Sequence, residues 1–234
     1  MISFLFSCEH ATCAVPEAQR ELFRGSEEIV QSPKGWDPGA LNLAQGFAMK
    51  FRTPLVHGDV TRLLIDLDEN GDDRWSEISK KLPEATRAKL VERTENIYRA
   101  GLNQRIAQDL QRHRAVLHLM IHTADSHAGK IQLLTAPHSD LAEEFTASWL
   151  GRIRASGLDV RHERAAPLSG LSQTLRGIHP ANKYAPIRIE VSQSYFLSGV
   201  PCKWETMKKT LIDTMRQTGD EPGFSSSPKP PSAG

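Results

Sequence analysis

Residues 116–121 read Val-Leu-His-Leu-Met-Ile, an almost unbroken apolar run that stops at His122. A run so poor in polar alternation predicts a strand covered on both faces, and therefore the interior of a sheet with helices above and below it. Residues 2–7 form a first strand that gives way to loop at Cys8-Glu9-His10, and residues 54–57, 63–67, 131–134 and 187–191 read as further strands. Helical patterns alternate with them. A short helix follows Pro16, and Ala40, Leu41, Leu43, Ala44, Phe47, Ala48 and Phe51 recur at three-and-four spacing, with Asp37 as N-cap and Pro38 in the first turn. Helix formers fill residues 83–113, where Gly101 marks a break or a close contact, and helices are expected over 139–153 and from Pro201 to about Gln217. The alternation predicts an α/β fold, a three-layer α/β/α sandwich around a central sheet.

The 234 residues suit one domain, here residues 1–218, and no low-complexity linker divides them. Residues 219–234 are rich in Pro, Ser and Gly without apolar periodicity and are expected to form a disordered tail. A formal charge of +1 offers no field for recruiting nucleic acid. The three cysteines include no Cys-x-x-Cys pair, and the apolar amino terminus lacks a basic leader and is too short for a signal core or a membrane span. A cytoplasmic protein with no membrane partner is expected; the oligomeric state is left open.

Three stretches each offer a metal ligand where an apolar element ends: His10 in Ser-Cys-Glu-His, Asp37 in Gly-Trp-Asp-Pro-Gly and His122 after the central run. Imidazole and carboxylate suit zinc, and a catalytic site keeps three protein ligands with a fourth position for water. Glu190 closes another apolar run with a carboxylate, the group such a water needs as proton acceptor. Each residue also has a plainer reading: a strand-end histidine bonded within its loop, Asp37 as a helix cap, Glu190 paired with Arg188 or Lys183. Cys8 as a nucleophile ranks below the metal, because no basic group is evident to lower its pKa.

In order, Ser-Cys-Glu-His-Ala at 7–11 with Pro16, Gly-Trp-Asp-Pro-Gly-Ala at 35–40, Thr-Arg-Leu-Leu-Ile-Asp-Leu at 61–67, Ile-His-Thr at 121–123 and Ile-Glu-Val-Ser-Gln at 189–193 resemble the N-formylglutamate amidohydrolase family. The resemblance spans nearly all of the chain to about residue 217. It implies a central mixed sheet flanked by helices, similar to the zinc carboxypeptidases in the phosphorylase/hydrolase-like class. It further implies one Zn2+ per chain on His10, Asp37 and His122, Glu190 as general base and then proton donor, and Arg62 as the cation that polarises a scissile carbonyl or stabilises its oxyanion. Asp66 would orient Arg62. The implied reaction is hydrolysis of a linear amide in a small N-acyl amino acid or peptide-like molecule.

Where the family continues Asp-Leu-Asn-Arg, this chain has Asp66-Leu67-Asp68-Glu69, so a pair suited to gripping a substrate carboxylate becomes two acids. Arg176 from a Gly-bounded loop could replace the lost cation, or a cationic substrate group could meet Asp68. Ser169 and His127 belong to loops placed to line the pocket. Two alternatives stay open: a metal-dependent hydrolase of a cationic or neutral amide, and a non-catalytic scaffold.

Overall fold

The computed structural model describes residues 2–125 and 129–225. Its strands are β1 (Ile2–Cys8), β2 (Leu55–His57), β3 (Ala115–Ala124), β4 (Ile131–Thr135), β5 (Val160–Arg164) and β6 (Tyr184–Ser192). Its helices are α1 (Glu27–Gln31), α2 (Ala40–Phe51), α3 (Glu84–Leu90), α4 (Asn96–Leu110), α5 (Asp140–Ala155), α6 (Gly170–Ile178), α7 (Ser194–Leu197) and α8 (Pro201–Gly219). The strands form one sheet in the order β2-β1-β3-β6-β4-β5. β2, β1, β3 and β6 are parallel, β4 runs antiparallel to β6, and β5 follows β4, so the sheet is mixed, as the resemblance implies.

Side-chain alternation sorts the two faces. Even residues of β1 (Phe4, Phe6, Cys8) and odd residues of β3 and β6 (Leu117, Leu119, Ile121; Ile187, Ile189, Val191) join α2, α5 and α8 in the larger apolar core. Phe6 stacks on Phe47 of α2 with centroids 5.5 Å apart, and Phe4 meets Phe145 of α5 edge-on at 5.7 Å. Buried aromatic side chains of this size stabilise by roughly 1.5–3 kcal/mol each, so this face anchors the sheet. The other face packs on α4 and α6 through Leu5, Val116, Met120, Tyr184, Tyr98, Leu102, Ile106, Leu171 and Leu175. Its even positions on β3 and β6 also carry His118, His122, Arg188 and Glu190, which is why β3 reads as nearly continuous apolar sequence while presenting imidazoles to one side.

Several expectations are corrected. Residues 63–67 form no strand; Leu64, Ile65 and Leu67 are fully or nearly buried, but in a loop stitched by Thr61 N to Ala14 O (2.8 Å) and Leu64 N to Thr61 O (2.9 Å). The apolar content there serves burial beneath the 13–30 segment and α3 rather than a ladder. Gly101 neither breaks its helix nor makes a close contact. The irregularity lies instead at Val91–Glu95, a π-turn joining α3 to α4. β5 and α6 were not foreseen. Of the expected tail, residues 219–225 are described and partly packed: Phe224 is buried against Phe145 at 5.1 Å, and Glu221 accepts from Ser148 at 2.6 Å; the remainder lies outside the described residues. No described helix is long and apolar enough to cross a membrane.

His118 lies wholly inside, its ring bonded to Tyr184 Oη and Ser7 Oγ at 2.8 Å each. Burial pushes its pKa from 6.5 down to about 4 against the pull of Glu9 and Asp68. The unfolded chain takes up this proton near pH 6.5 and the native chain only near 4, so stability is full above that window and falls as pH drops through it, by about 3 kcal/mol from this residue. Urea unfolding at pH 7 and at pH 4.5 should show a shallower loss for His118→Gln than for the wild type; parallel losses would remove His118 from the account.

Candidate metal centre

The parallel strands all end on one side, and the chain leaves β1 for β2 in one direction and reaches β3 and β6 in the other. The gap beyond the C-terminal ends of β1 and β3 is therefore a topological switch point, where loops diverge and leave a crevice. His10 and Glu9 follow β1 directly, and His122 is near the end of β3, with Glu190 of β6 its register partner on the neighbouring strand.

Asp37 reaches the crevice from the loop before α2. It does not cap that helix: the cap is Gly39, at φ 90°, a backbone only glycine adopts easily, where a Cβ would also strike Phe196 and Trp204 at 2.9 Å. The loop is tied to both strands, Asp37 N donating to His10 O at 2.9 Å and Thr123 Oγ1 to Pro38 O at 3.0 Å. The carboxylate is thus delivered between the two imidazoles. Asp37 Oδ2 lies 2.9 Å from His122 Nδ1 and 3.4 Å from His10 Nδ1, and the rings cross at a centroid distance of 5.0 Å. Ligand atoms of His10, Asp37 and His122 all fall within 4.8 Å of one another, and all three residues are buried.

Arg62 closes one side. Its Nη1 is 3.2 Å from Asp37 Oδ1 and 3.1 Å from His10 Nδ1, while Nη2 and Nε donate to Pro33 O and Lys34 O at 2.6 and 3.0 Å. Asp66 does not orient Arg62 through a hydrogen bond, as expected; its Oδ1 faces His10 Nε2 at 2.8 Å and also accepts from Asp68 N at 3.0 Å. On the far side Arg188 Nη1 donates to Asp68 Oδ2, and Arg188 Nε to Glu190 Oε1 at 2.8 Å. The plainer pairing of Glu190 with Arg188 thus exists, but within the site. Burial opposes the charge on Arg188, and Asp68 and Glu190 overcome it, holding the guanidinium firmly protonated.

Sequence reasoning missed Glu9 and Tyr98 and read Arg188 only as a partner of Glu190. Glu9 is almost completely buried, with Oε1 accepting from Tyr98 Oη at 2.8 Å and Oε2 lying 3.2 Å from His122 Nε2. The available signal was alternation: Leu5, Ser7 and Glu9 share a face, whereas Cys8 faces the apolar core, where burial raises its thiol pKa well above the usual range. That placement removes Cys8 as a nucleophile. Arg176 stands on α6, not in a loop, and donates to Pro137 O at 3.0 Å. Ser169 caps the same helix, exchanging bonds with Ser172 at 3.0 and 3.1 Å. His127 lies outside the described residues.

The donors suit a cation. Glu9 Oε2, Asp37 Oδ1, Asp68 Oδ1 and His122 Nε2 are buried without a hydrogen bond among the described residues, a costly state for polar atoms. Burial disfavours a charge on His10, yet Asp66 and Asp37 outweigh it and lift the imidazole to about 10. Burial likewise opposes ionisation of Asp37, but His10 and His122 hold the carboxylate well below its usual range. Carboxylates this crowded call for compensating positive charge, from protons or from a metal ion. A second group, Glu9, Asp68 and His122, also has its ligand atoms within 4.8 Å of one another.

A family model for N-formylglutamate amidohydrolase matches residues 2–197. Among solved structures, a gene product of Agrobacterium tumefaciens superposes with a TM-score of 0.76 at 21% identity over 92% of this chain and 90% of its own. The N-formylglutamate amidohydrolase of Ralstonia eutropha JMP134 does so with a TM-score of 0.66 at 18% identity, over 92% of each chain. No curated protein is significantly similar.

A ligand that binds only the native state stabilises it by about 2.7 kcal/mol at a hundredfold excess over its Kd. A divalent cation such as zinc should therefore raise the unfolding midpoint of the wild type, and His122→Ala and Asp37→Asn should each remove most of the rise. An equal rise in all three proteins would place the cation elsewhere.

Proposed function

Because the chain belongs to the N-formylglutamate amidohydrolase family, we propose that it is a zinc-dependent amidohydrolase that cleaves a linear amide in an N-acyl amino acid or small peptide-like substrate. The observation that carries this reading is the meeting of His10 Nδ1, Asp37 and His122 Nδ1 at the switch point, with Glu190 on the strand beside His122. In this reading His10, Asp37 and His122 hold the metal. Bound zinc supplies Lewis acidity and brings the pKa of a water toward about 7.

The remaining chemistry belongs to side chains. Glu190 acts as general base toward the attacking water and returns the proton to the departing amine nitrogen. Arg188 Nε donates to one carboxylate oxygen at 2.8 Å and fixes its position. Arg62, anchored on the carbonyls of Pro33 and Lys34, is preorganised beside the charge that develops on the carbonyl oxygen, where a donor already in place needs no reorganisation.

Asp68 was expected to repel an anionic substrate, but Arg188 answers its charge directly. Arg188 faces both Asp68 and Glu190, so its charge is matched within the site. Glu69 keeps the cationic-substrate alternative alive: burial and then Asp68, Asp66 and Asp73 raise its pKa, as an acidic wall would. The expected localisation remains the cytoplasm.

Glu190→Gln should lower kcat by about a hundred- to ten-thousandfold while zinc content stays at the wild-type level. Amine release from formyl-, acetyl- and succinyl-amino acids with acidic, neutral and basic side chains, measured beside metal analysis, provides the check. Bound zinc with no hydrolysis across the panel would favour the scaffold.

A further inference from the structure

The two nitrogens of His122 face different partners. Nδ1 looks toward Asp37 Oδ2 at 2.9 Å, and Nε2 toward Glu9 Oε2 at 3.2 Å, with Asp68 Oδ2 farther off at 3.8 Å. Neither His122 Nε2 nor Glu9 Oε2 has a hydrogen bond among the described residues, so a small ring rotation that joined them would satisfy both. Glu9 is held for this purpose from two directions. Tyr98 Oη donates to its other oxygen at 2.8 Å, and its backbone is crossed so closely by Gly58 that a Cβ there would fall 2.2 Å from Glu9 O. His10 has a carboxylate at each nitrogen too, Asp66 at the outer one and Asp37 at the inner one, where Arg62 Nη1 also lies at 3.1 Å.

We propose that Glu9, pinned by Tyr98, is a positioning residue for the metal centre, accepting the Nε2 proton of His122 and so leaving the Nδ1 lone pair turned toward His10 and Asp37. This inference rests on the reading of His10, Asp37 and His122 as metal ligands. A neutral imidazole carries one N–H, and a carboxylate beside one nitrogen draws the proton there, fixing the tautomer, orienting the ring and raising its basicity as a ligand. The other grouping, a cation on Nε2 with Glu9 and Asp68, would set that cation beside the Arg188 guanidinium already bonded to Asp68. Arg62 flanks the first grouping in the same way, so the nitrogen of His122 that carries the cation is what distinguishes the two.

The experiment measures zinc affinity at fixed pH by competition with a chromogenic chelator, for the wild type, Glu9→Gln and Tyr98→Phe, with thermal unfolding as a check on folding. Glu9→Gln keeps the shape and removes the charge, and should weaken zinc binding about 10–100-fold, with a smaller loss for Tyr98→Phe. Long-range 1H–15N correlation spectra of the zinc-loaded wild type should show His122 protonated at Nε2 and metallated at Nδ1. That spectrum decides the matter even if Glu9→Gln fails to fold. Unchanged affinity in a folded Glu9→Gln, or zinc on Nε2, would overturn the role of Glu9 alone. A wild-type protein that takes up no zinc would overturn the metal centre and this role together.

Discussion

Asp37 is the group on which the charges of the crevice converge. One buried carboxylate faces His122, His10 and Arg62 within 3.4 Å, and it is the one that all three share, while His10 also meets Asp66 at 2.8 Å and His122 meets Glu9 at 3.2 Å. Ionised groups so deep in a protein cost several kcal/mol each unless they are matched, so breaking one contact would leave the others stranded. The loop that brings Asp37 there is accordingly stitched to both β1 and β3 by backbone and hydroxyl bonds. Fold and site are joined at this point: the sheet places the imidazoles, and the Asp37 loop fixes their separation.

The two faces of the sheet divide the work. One is apolar throughout and packs on α2, α5 and α8, which supplies the stability that lets the opposite face hold charges. That opposite face mixes Leu5, Met120 and Tyr184 with His118, His122, Arg188 and Glu190. The polar residues are not a surface feature, since α4 and α6 cover much of them, and their hydrogen bonds run across the layer, as from Tyr98 to Glu9. The π-turn before α4 adds a residue to the helix just where Glu95 turns inward to Arg74 and Arg99, and it sets the phase from which Tyr98 reaches the sheet.

Much of this was legible in the residues. The apolar runs gave β1, β3, β4 and β6 within a few positions, because strands buried on both sides leave a continuous signature. The strand expected at 63–67 did not form, since the same signature arises wherever a loop is buried, and nothing local reveals whether a neighbour will pair with it. His10, Asp37 and His122 could be picked out as ends of separate elements, yet only the topology brings them together. Glu9 escaped notice and Arg188 was read only as a partner of Glu190, because each sits close to a more conspicuous residue and their parity on the strand matters only once the covered face is known. Arg176 was misplaced for the opposite reason: Gly170 and Gly177 suggested loop, but the Ser169–Ser172 capping box starts a helix through them.

Glu190 belongs to a strand with neighbours on both flanks, β3 on one side and β4 on the other. Because β4, antiparallel to β6, and β5, parallel to β4, continue the sheet past β6, the carboxylate is mounted on an inner rung and cannot swing out with a fraying edge. Admission of a reactant must then fall to the surrounding loops, among them the long irregular segment between β2 and α3. Such a division leaves evolution free to reshape the loops around the crevice while the inner rungs of the sheet stay still.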